Sequence, residues 1–190
     1  RPSLDYHIKK FFKKKSFLLH AGCGSGQVDQ NIIKLMKVDA LDISINALKI
    51  YKINNPEVND LFHSDIFNSG LNKEKYDGIY NLGVLEHFNE KEINLILTEF
   101  KRLIKRKGKI LLFWPHKYGL SVIFLKIFTN LIKLVFKKNL NLHPKEITYV
   151  KSKDQVNKIL KNNGLILEYY YFGMKDMFTQ VAILARKNDE

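Results

Sequence analysis

An apolar run, Leu18-Leu19-His20-Ala21, leads directly into Gly22-Cys23-Gly24-Ser25-Gly26. Glycine at every second position lets the backbone turn sharply and lets a ligand lie against it without meeting a Cβ. A helix start behind such a loop adds backbone N–H groups that lack helical partners. In an open α/β sheet, this arrangement puts a ligand at the carboxyl ends of the strands. Asp42 lies twenty residues after Gly22, at the end of the next apolar run. A carboxylate at that spacing accepts hydrogen bonds from ribose hydroxyls. The alternative is that Asp42 caps a helix beginning near Ser44. The dinucleotide pattern G-x-G-x-x-G/A has its third small residue one place later than Gly26, where this chain has Gln27. That disfavours a nicotinamide dehydrogenase.

Other reactive side chains are isolated. Cys23 is the sole cysteine, so an intramolecular disulfide and a cysteine-rich zinc site are excluded, and no metal site is expected. Cys23 reads as packing within the glycine loop, because a nucleophilic role needs a lowered pKa. His87 is a candidate general base or a structural histidine orienting the loop after the fourth strand. His116 follows the fifth strand on the expected substrate side, or simply occupies a turn.

The pattern around these residues alternates. Strands are expected at Ser16–Ala21, Val38–Ile43, Asp60–His63, Tyr76–Leu82 and Lys109–Trp114, each a short apolar run. Helices are expected at residues 4–15, Gln27–Lys37, Asn46–Ile53 and Glu90–Ile104, the last ended by Gly108. A further helix at Asp154–Asn162 precedes strands at Leu165–Phe172 and Phe178–Ala185, which read as an antiparallel hairpin. Strands alternating with helices mean parallel βαβ units. The expected fold is α/β: a doubly wound, Rossmann-like, seven-stranded sheet, mostly parallel with an antiparallel C-terminal hairpin and helices on both faces. No repeat or linker suggests a second domain, so residues 1–190 are expected to form one.

The G-x-G-x-G loop resembles that of class I S-adenosylmethionine-dependent methyltransferases, and further motifs follow in order. His63-Ser64-Asp65-Ile66 resembles the family's third-strand end. Tyr76-Asp77-Gly78-Ile79-Tyr80-Asn81-Leu82-Gly83-Val84-Leu85-Glu86-His87-Phe88 resembles its fourth-strand motif, with the common "LEH" ending. Leu103–Leu111 resembles its helix, glycine turn and fifth strand. The likeness spans residues 16–114, in the manner of the small-molecule group that includes quinone-biosynthesis methyltransferases. It implies S-adenosylmethionine as cofactor, bound by His20, Gly22, Gly24, Gly26, Asp42, Ile43, Asp65, Ile66 and Asn81. Asp42 would take the ribose; Ile43, Asp65 and Ile66 would meet the adenine. The family usually has a carboxylate at the position of His20, holding the methionine part of the cofactor. If the His20 ring contacts that part, His20→Glu should tighten binding.

The acceptor implied is small or apolar. Two alternatives stay open. The formal net charge of +13 suits an RNA methyltransferase, although neither an Asp/Asn-Pro-Pro-aromatic run nor a Pro-Cys nucleophile is present. A catalytically degenerate nucleotide-binding domain would account for His20. Twelve Lys or Arg and no acidic residue lie between Lys101 and Lys145, and Lys9, Lys10, Lys13, Lys14 and Lys15 form a second basic group. Such a field attracts anions, or is merely a solvated surface. Within residues 116–150, an expected helical substrate lid, Gly119–Lys138 is apolar around most of a helix. Lys126, Asn130, Lys133 and Lys137 make its narrow polar stripe. With basic flanks, it would line an apolar acceptor site, pack on the sheet, or rest peripherally on an anionic membrane. No run is long enough to span a bilayer. No signal peptide is visible, and a reducing cytoplasmic setting is expected. The opening Arg1-Pro2 leads us to expect a longer native N-terminus.

Overall fold

The structure is a computed structural model that describes residues 2–120, 122 and 146–188. Its elements are α1 (Pro2–Phe11), β1 (Phe17–Ala21), β2 (Lys37–Asp42), α2 (Ile45–Asn54), β3 (Asp60–His63), β4 (Tyr76–Leu82), α3 (Glu90–Leu103), β5 (Ile104–Pro115), α4 (Lys153–Asn162), β6 (Leu165–Tyr171) and β7 (Gln180–Lys187). The strands form one sheet in the order β3-β2-β1-β4-β5-β7-β6. Neighbours from β3 to β5 are parallel. β7 is antiparallel to both β5 and β6. The strand order reverses between β1 and β4, which makes their carboxyl ends the switch point where ligands bind in such sheets.

Alternation along each strand feeds two apolar layers. Leu19 and Ala21 of β1, Ile110, Leu112 and Trp114 of β5, and Ile183 and Ala185 of β7 face α3 and α4. Leu18, Leu111, Phe113 and Leu184 face the opposite way, toward Leu4, Ile8 and Phe12 at the N-terminus. Ala40 packs on Leu48 and Tyr51 of α2 on that same side. Strands covered on both faces have no polar side to show, hence their near-continuous apolar runs.

Two expected elements differ. Residues 27–36 are successive turns rather than a helix. The Asp29 carbonyl accepts from both Ile32 and Ile33, and the Ile32 carbonyl from both Leu35 and Met36. The stretch is pinned inward by Asp29, Ile32 and Met36 at helical spacing, so burial is helix-like although the hydrogen-bond ladder is not continuous. Likewise, Gly108 does not end α3. The helix passes straight into β5 at Ile104, and Gly108 belongs to an irregularity: Tyr76 pairs with Ile104 but Gly78 with Lys109, so the intervening β5 residues loop out. Lys105, Arg106 and Lys107 are exposed there, at the amino end of β5 and the far end of the strand from Pro115. Lys105 pairs with Asp77, Arg102 with Glu99 and Lys109 with Glu168. This basic group therefore sits away from the strand ends that carry the ligand site. Apart from Gly119, Leu120 and Val122, the apolar segment expected as a lid helix lies outside the described residues.

The start of α3 fixes the loop after β4. Asn89 Oδ1 accepts from the backbone N–H groups of Lys91 and Glu92, and Glu92 Oε2 accepts from that of Asn89. This reciprocal cap satisfies N–H groups a helix leaves unpaired. Asn89→Ala should cost about 1 kcal/mol, or about 2–4 °C in Tm. A thermal melt matching wild type would show that the cap contributes nothing.

Candidate functional site

The glycine loop is tied to β2 by backbone bonds. Gly22 N and Cys23 N both donate to Leu41 O, at 2.8 and 3.0 Å. Asp42 completes the clamp: Oδ2 accepts from Gly24 N and Oδ1 from Ser44 N, both at 2.8 Å. The helix cap is a different residue, Ser44, whose hydroxyl oxygen accepts from Ala47 N. Each carboxylate oxygen of Asp42 carries one backbone donor and keeps acceptor capacity for another.

A cleft of about 370 Å³ opens beside this clamp, at the switch point. Gly22, Gly24, Asp42, Ile43, Asp65 and Ile66 all line it. So do Leu41, Ser64, Phe67, Gly83, Val84 and Phe88, which no sequence motif assigned to a ligand. Ile43 is 70% exposed and presents its side chain at the rim of the cleft. The His63 ring nitrogen Nε2 lies 2.9 Å from Ile43 O and steadies that turn. Asp65 Oδ1 accepts from Phe67 N at 2.9 Å, and Phe67 meets Phe88 edge-on at 5.2 Å. The cleft thus combines an apolar wall with the Asp42 carboxylate and the bare backbone of the glycine loop. That composition suits a nucleoside: hydroxyls on Asp42 and a base between aliphatic and aromatic side chains.

Residues 19–112 match the family model for the methyltransferase domain. The whole fold is shared with solved methyltransferases. A SAM-dependent methyltransferase from Methanosarcina mazei has a TM-score of 0.75 at 15% identity, covering 97% of this chain and 98% of that one. The magnesium protoporphyrin IX methyltransferase from Synechocystis PCC 6803, with bound SAH, has a TM-score of 0.67 at 18% identity, covering 97% and 79%. Residues 19–112 thus form a methyltransferase domain, in a fold shared with SAM-dependent methyltransferases. An uncharacterized protein of Methanocaldococcus jannaschii is 33% identical over 141 residues, which cover 74% of this chain. The match spans 57% of the length of that relative.

Three residues expected at the cofactor lie outside the cleft lining. His20 is 1% exposed, beneath the loop. Its Nδ1 is 2.6 Å from Asp29 Oδ2, and its ring stacks on Tyr80 at 4.4 Å. Asp29 Oδ2 also accepts from the Tyr51 hydroxyl at 2.5 Å. Strand alternation places His20 on the Leu18 side of β1, where Asp29 holds its Nδ1. Gly26 faces α2: a Cβ there would stand 2.3 Å from the Tyr51 ring. Asn81 is fully buried and donates from Nδ2 to Ala21 O at 2.6 Å, binding the end of β1 to β4.

The candidate bases also sit apart. His87 belongs to the short 3-10 turn Leu85–His87 and does not line the cleft. His116 Nδ1 accepts from Tyr118 N at 3.2 Å, its ring stacks on Phe172 at 4.3 Å, and burial holds its pKa below the ordinary histidine value. It occupies the turn that follows β5. Burial, with Asp42 and Asp29 nearby, pushes the Cys23 thiol well above its ordinary value, so Cys23 is packing rather than nucleophile. Glu86 carries no signal in the sequence beyond its place in the "LEH" ending. It is buried, its Oε2 has no hydrogen-bond partner among the described residues, and burial raises its pKa. Its carbonyl accepts from Ile147 N and Thr148 N, so residues 146–150 strap the turn after β4.

Proposed function

We propose that this chain transfers a methyl group from S-adenosylmethionine to a small acceptor, with the cofactor in the cleft between Gly24, Asp42 and Phe88. The observation that carries the reading is Asp42. It closes β2 beside the glycine loop, and each of its oxygens holds one backbone donor while keeping room for a ribose hydroxyl. Ile43, Ile66 and Phe67 supply the apolar faces for the adenine, and Asp65 stands at its edge. When bound, the cofactor supplies a methyl carried on a sulfonium leaving group. The chain's task is then placement: holding the acceptor atom close to the methyl and in line with the bond that breaks. A general base is required only where the acceptor loses a proton in the transfer step. His87 and His116, both away from the cleft lining, leave that role unassigned.

The test is calorimetry with S-adenosylhomocysteine. Asp42→Ala removes a charge-assisted contact and loosens the Gly24 clamp, at a cost of about 1.5–3 kcal/mol. That corresponds to a fall of roughly ten- to a hundredfold in affinity. Unchanged affinity would remove Asp42 from the site. Undetectable binding by the wild-type chain would favour a degenerate domain over an enzyme.

A further inference from the structure

A cavity of about 320 Å³ lies at the other end of the sheet from the cofactor cleft, walled by Lys73, Glu74, Lys101, Arg102, Asn163 and Lys187. Glu74 N and Lys75 N donate to the Arg102 and Leu103 carbonyls, which lays the approach to β4 along the last turn of α3. Lys187 ends β7 opposite Leu165, the first residue of β6. These are the amino ends of the parallel strands. β4 alone runs seven residues, about 20 Å at the usual rise, so a molecule bound here is too far from the glycine loop to be the methyl acceptor.

Cations on this wall outnumber acids. Lys187 Nζ is 3.5 Å from Glu74 Oε1, and Arg102 donates from Nε and Nη2 to Glu99. Lys73 and Lys101 have no hydrogen-bond or ion-pair partner among the described residues, and Arg102 keeps Nη1 unused. Lys101 is the telling one. It is half-buried, and a Cβ at Gly164 would collide with its Nζ, so the ammonium lies at the carboxyl end of α4. The helix dipole favours a cation there. Yet the last carbonyls already have donors: Ile159 O has Asn163 Nδ2, Leu160 O has Asn163 N and Lys161 O has Gly164 N. Lys101 is therefore not needed as a cap. A partly buried ammonium is screened less than one in open water, so an anion brought to it is held more strongly. Donors on a loop and on a helix call for several acceptor oxygens and more than one negative charge. A diphosphate has both, whereas a carboxylate supplies one charge. The volume suits a small molecule rather than a strand of nucleic acid.

We propose that this cavity binds the diphosphate or longer polyphosphate of a small molecule, with Lys73, Lys101 and Arg102 Nη1 as its donors. The test is amide NMR on the nitrogen-labelled chain at fixed ionic strength, with inorganic pyrophosphate as the probe. Pyrophosphate should shift the Lys73, Lys101, Asn163 and Lys187 resonances saturably. Lys73→Gln combined with Lys101→Gln should weaken it at least about tenfold. Lys13→Gln combined with Lys14→Gln removes the same charge elsewhere and should change affinity by less than about twofold. No saturation, shifts spread over every basic surface, or equal weakening by both double variants would overturn the proposal. A single-stranded oligonucleotide without terminal phosphates is the second probe and should bind these residues more weakly than pyrophosphate. Tighter binding by the oligonucleotide would overturn the small-molecule assignment in favour of nucleic acid. If the Lys73 and Lys101 variant does not fold, the wild-type shift map and the ranking of the two probes still decide.

Discussion

His20→Glu is expected to destabilise the chain by about 3–5 kcal/mol at neutral pH, rather than to tighten cofactor binding. The His20 ring is enclosed between Tyr80 and Asp29, with Nδ1 2.6 Å from the Asp29 carboxylate. The substitution removes that donor and sets a second carboxyl against the first in a site closed to water. Tyr51 is the other donor to the same Asp29 oxygen, and among the described residues no lysine or arginine bonds to Asp29. Two carboxylates so placed cannot both ionise, so one holds a proton and its pKa rises above the unfolded value of about 4.3. The sign of the pH dependence follows. Below the unfolded pKa the introduced carboxyl is neutral in both states and the charge penalty vanishes. The penalty grows as pH rises and is complete above the folded pKa. Relative to wild type, the deficit in denaturant stability should shrink toward pH about 4. His20→Gln, which can still donate to Asp29 without a charge, should lose less. A variant that melts with wild type at neutral pH, or that binds S-adenosylhomocysteine more tightly, would return His20 to the cofactor site.

The strands and the cleft were readable in the sequence; the environment of His20 was not. β3 and β4 have the boundaries expected from their apolar runs, because Asn-, Pro- and Gly-containing loops bound them. Gly22, Gly24, Asp42, Ile43, Asp65 and Ile66 meet at one cleft because each lies within three residues of the carboxyl end of a parallel strand. Parallel strands bring those ends together whatever the rest of the chain does. His20 lies one residue before the end of its strand, and spacing alone gave no sign of its partner. Only the folded course of residues 27–36 brings Asp29 beneath it, and that stretch forms turns where its periodicity reads as a helix. Phe67 and Phe88 belong to loops after different strands, so their 5.2 Å contact needed the sheet order. β7 starts at Gln180 rather than Phe178, since Met177 and Phe178 adopt left-handed backbone angles that close the preceding turn. The Ser3–Asp176 contact spans nearly the whole chain, and no local pattern announces it.

The glycine loop itself offers the sharpest separation of folding from binding. Gly26→Ala is expected to cost about 2–5 kcal/mol of stability, the sum of two effects. Gly26 has φ of +66°, a conformation that costs a residue with a Cβ about 1–2 kcal/mol. The new methyl would also stand 2.3 Å from Tyr51 Cδ2 and 2.5 Å from Asn55 Nδ2. Neither neighbour can retreat cheaply. Tyr51 is held by its hydrogen bond to Asp29, and Asn55 Nδ2 donates to Gly26 O at 2.8 Å. Overpacking a site held this way costs about 1–3 kcal/mol more. Gly24→Ala differs in one respect. Its φ is +53°, but a Cβ there meets no atom within 4 Å, and Gly24 lines the cleft. It should lose only the backbone share of stability, about 1–2 kcal/mol, while its methyl intrudes on the ligand. Paired measurements read the difference. Gly26→Ala should lower Tm by about 5–15 °C, yet bind S-adenosylhomocysteine near wild-type affinity at temperatures where it is folded. Gly24→Ala should melt closer to wild type and bind at least about tenfold more weakly. If the order were reversed, with Gly26→Ala stable but unable to bind, Gly26 would belong to the ligand surface and its close packing on Tyr51 would not be what requires glycine there.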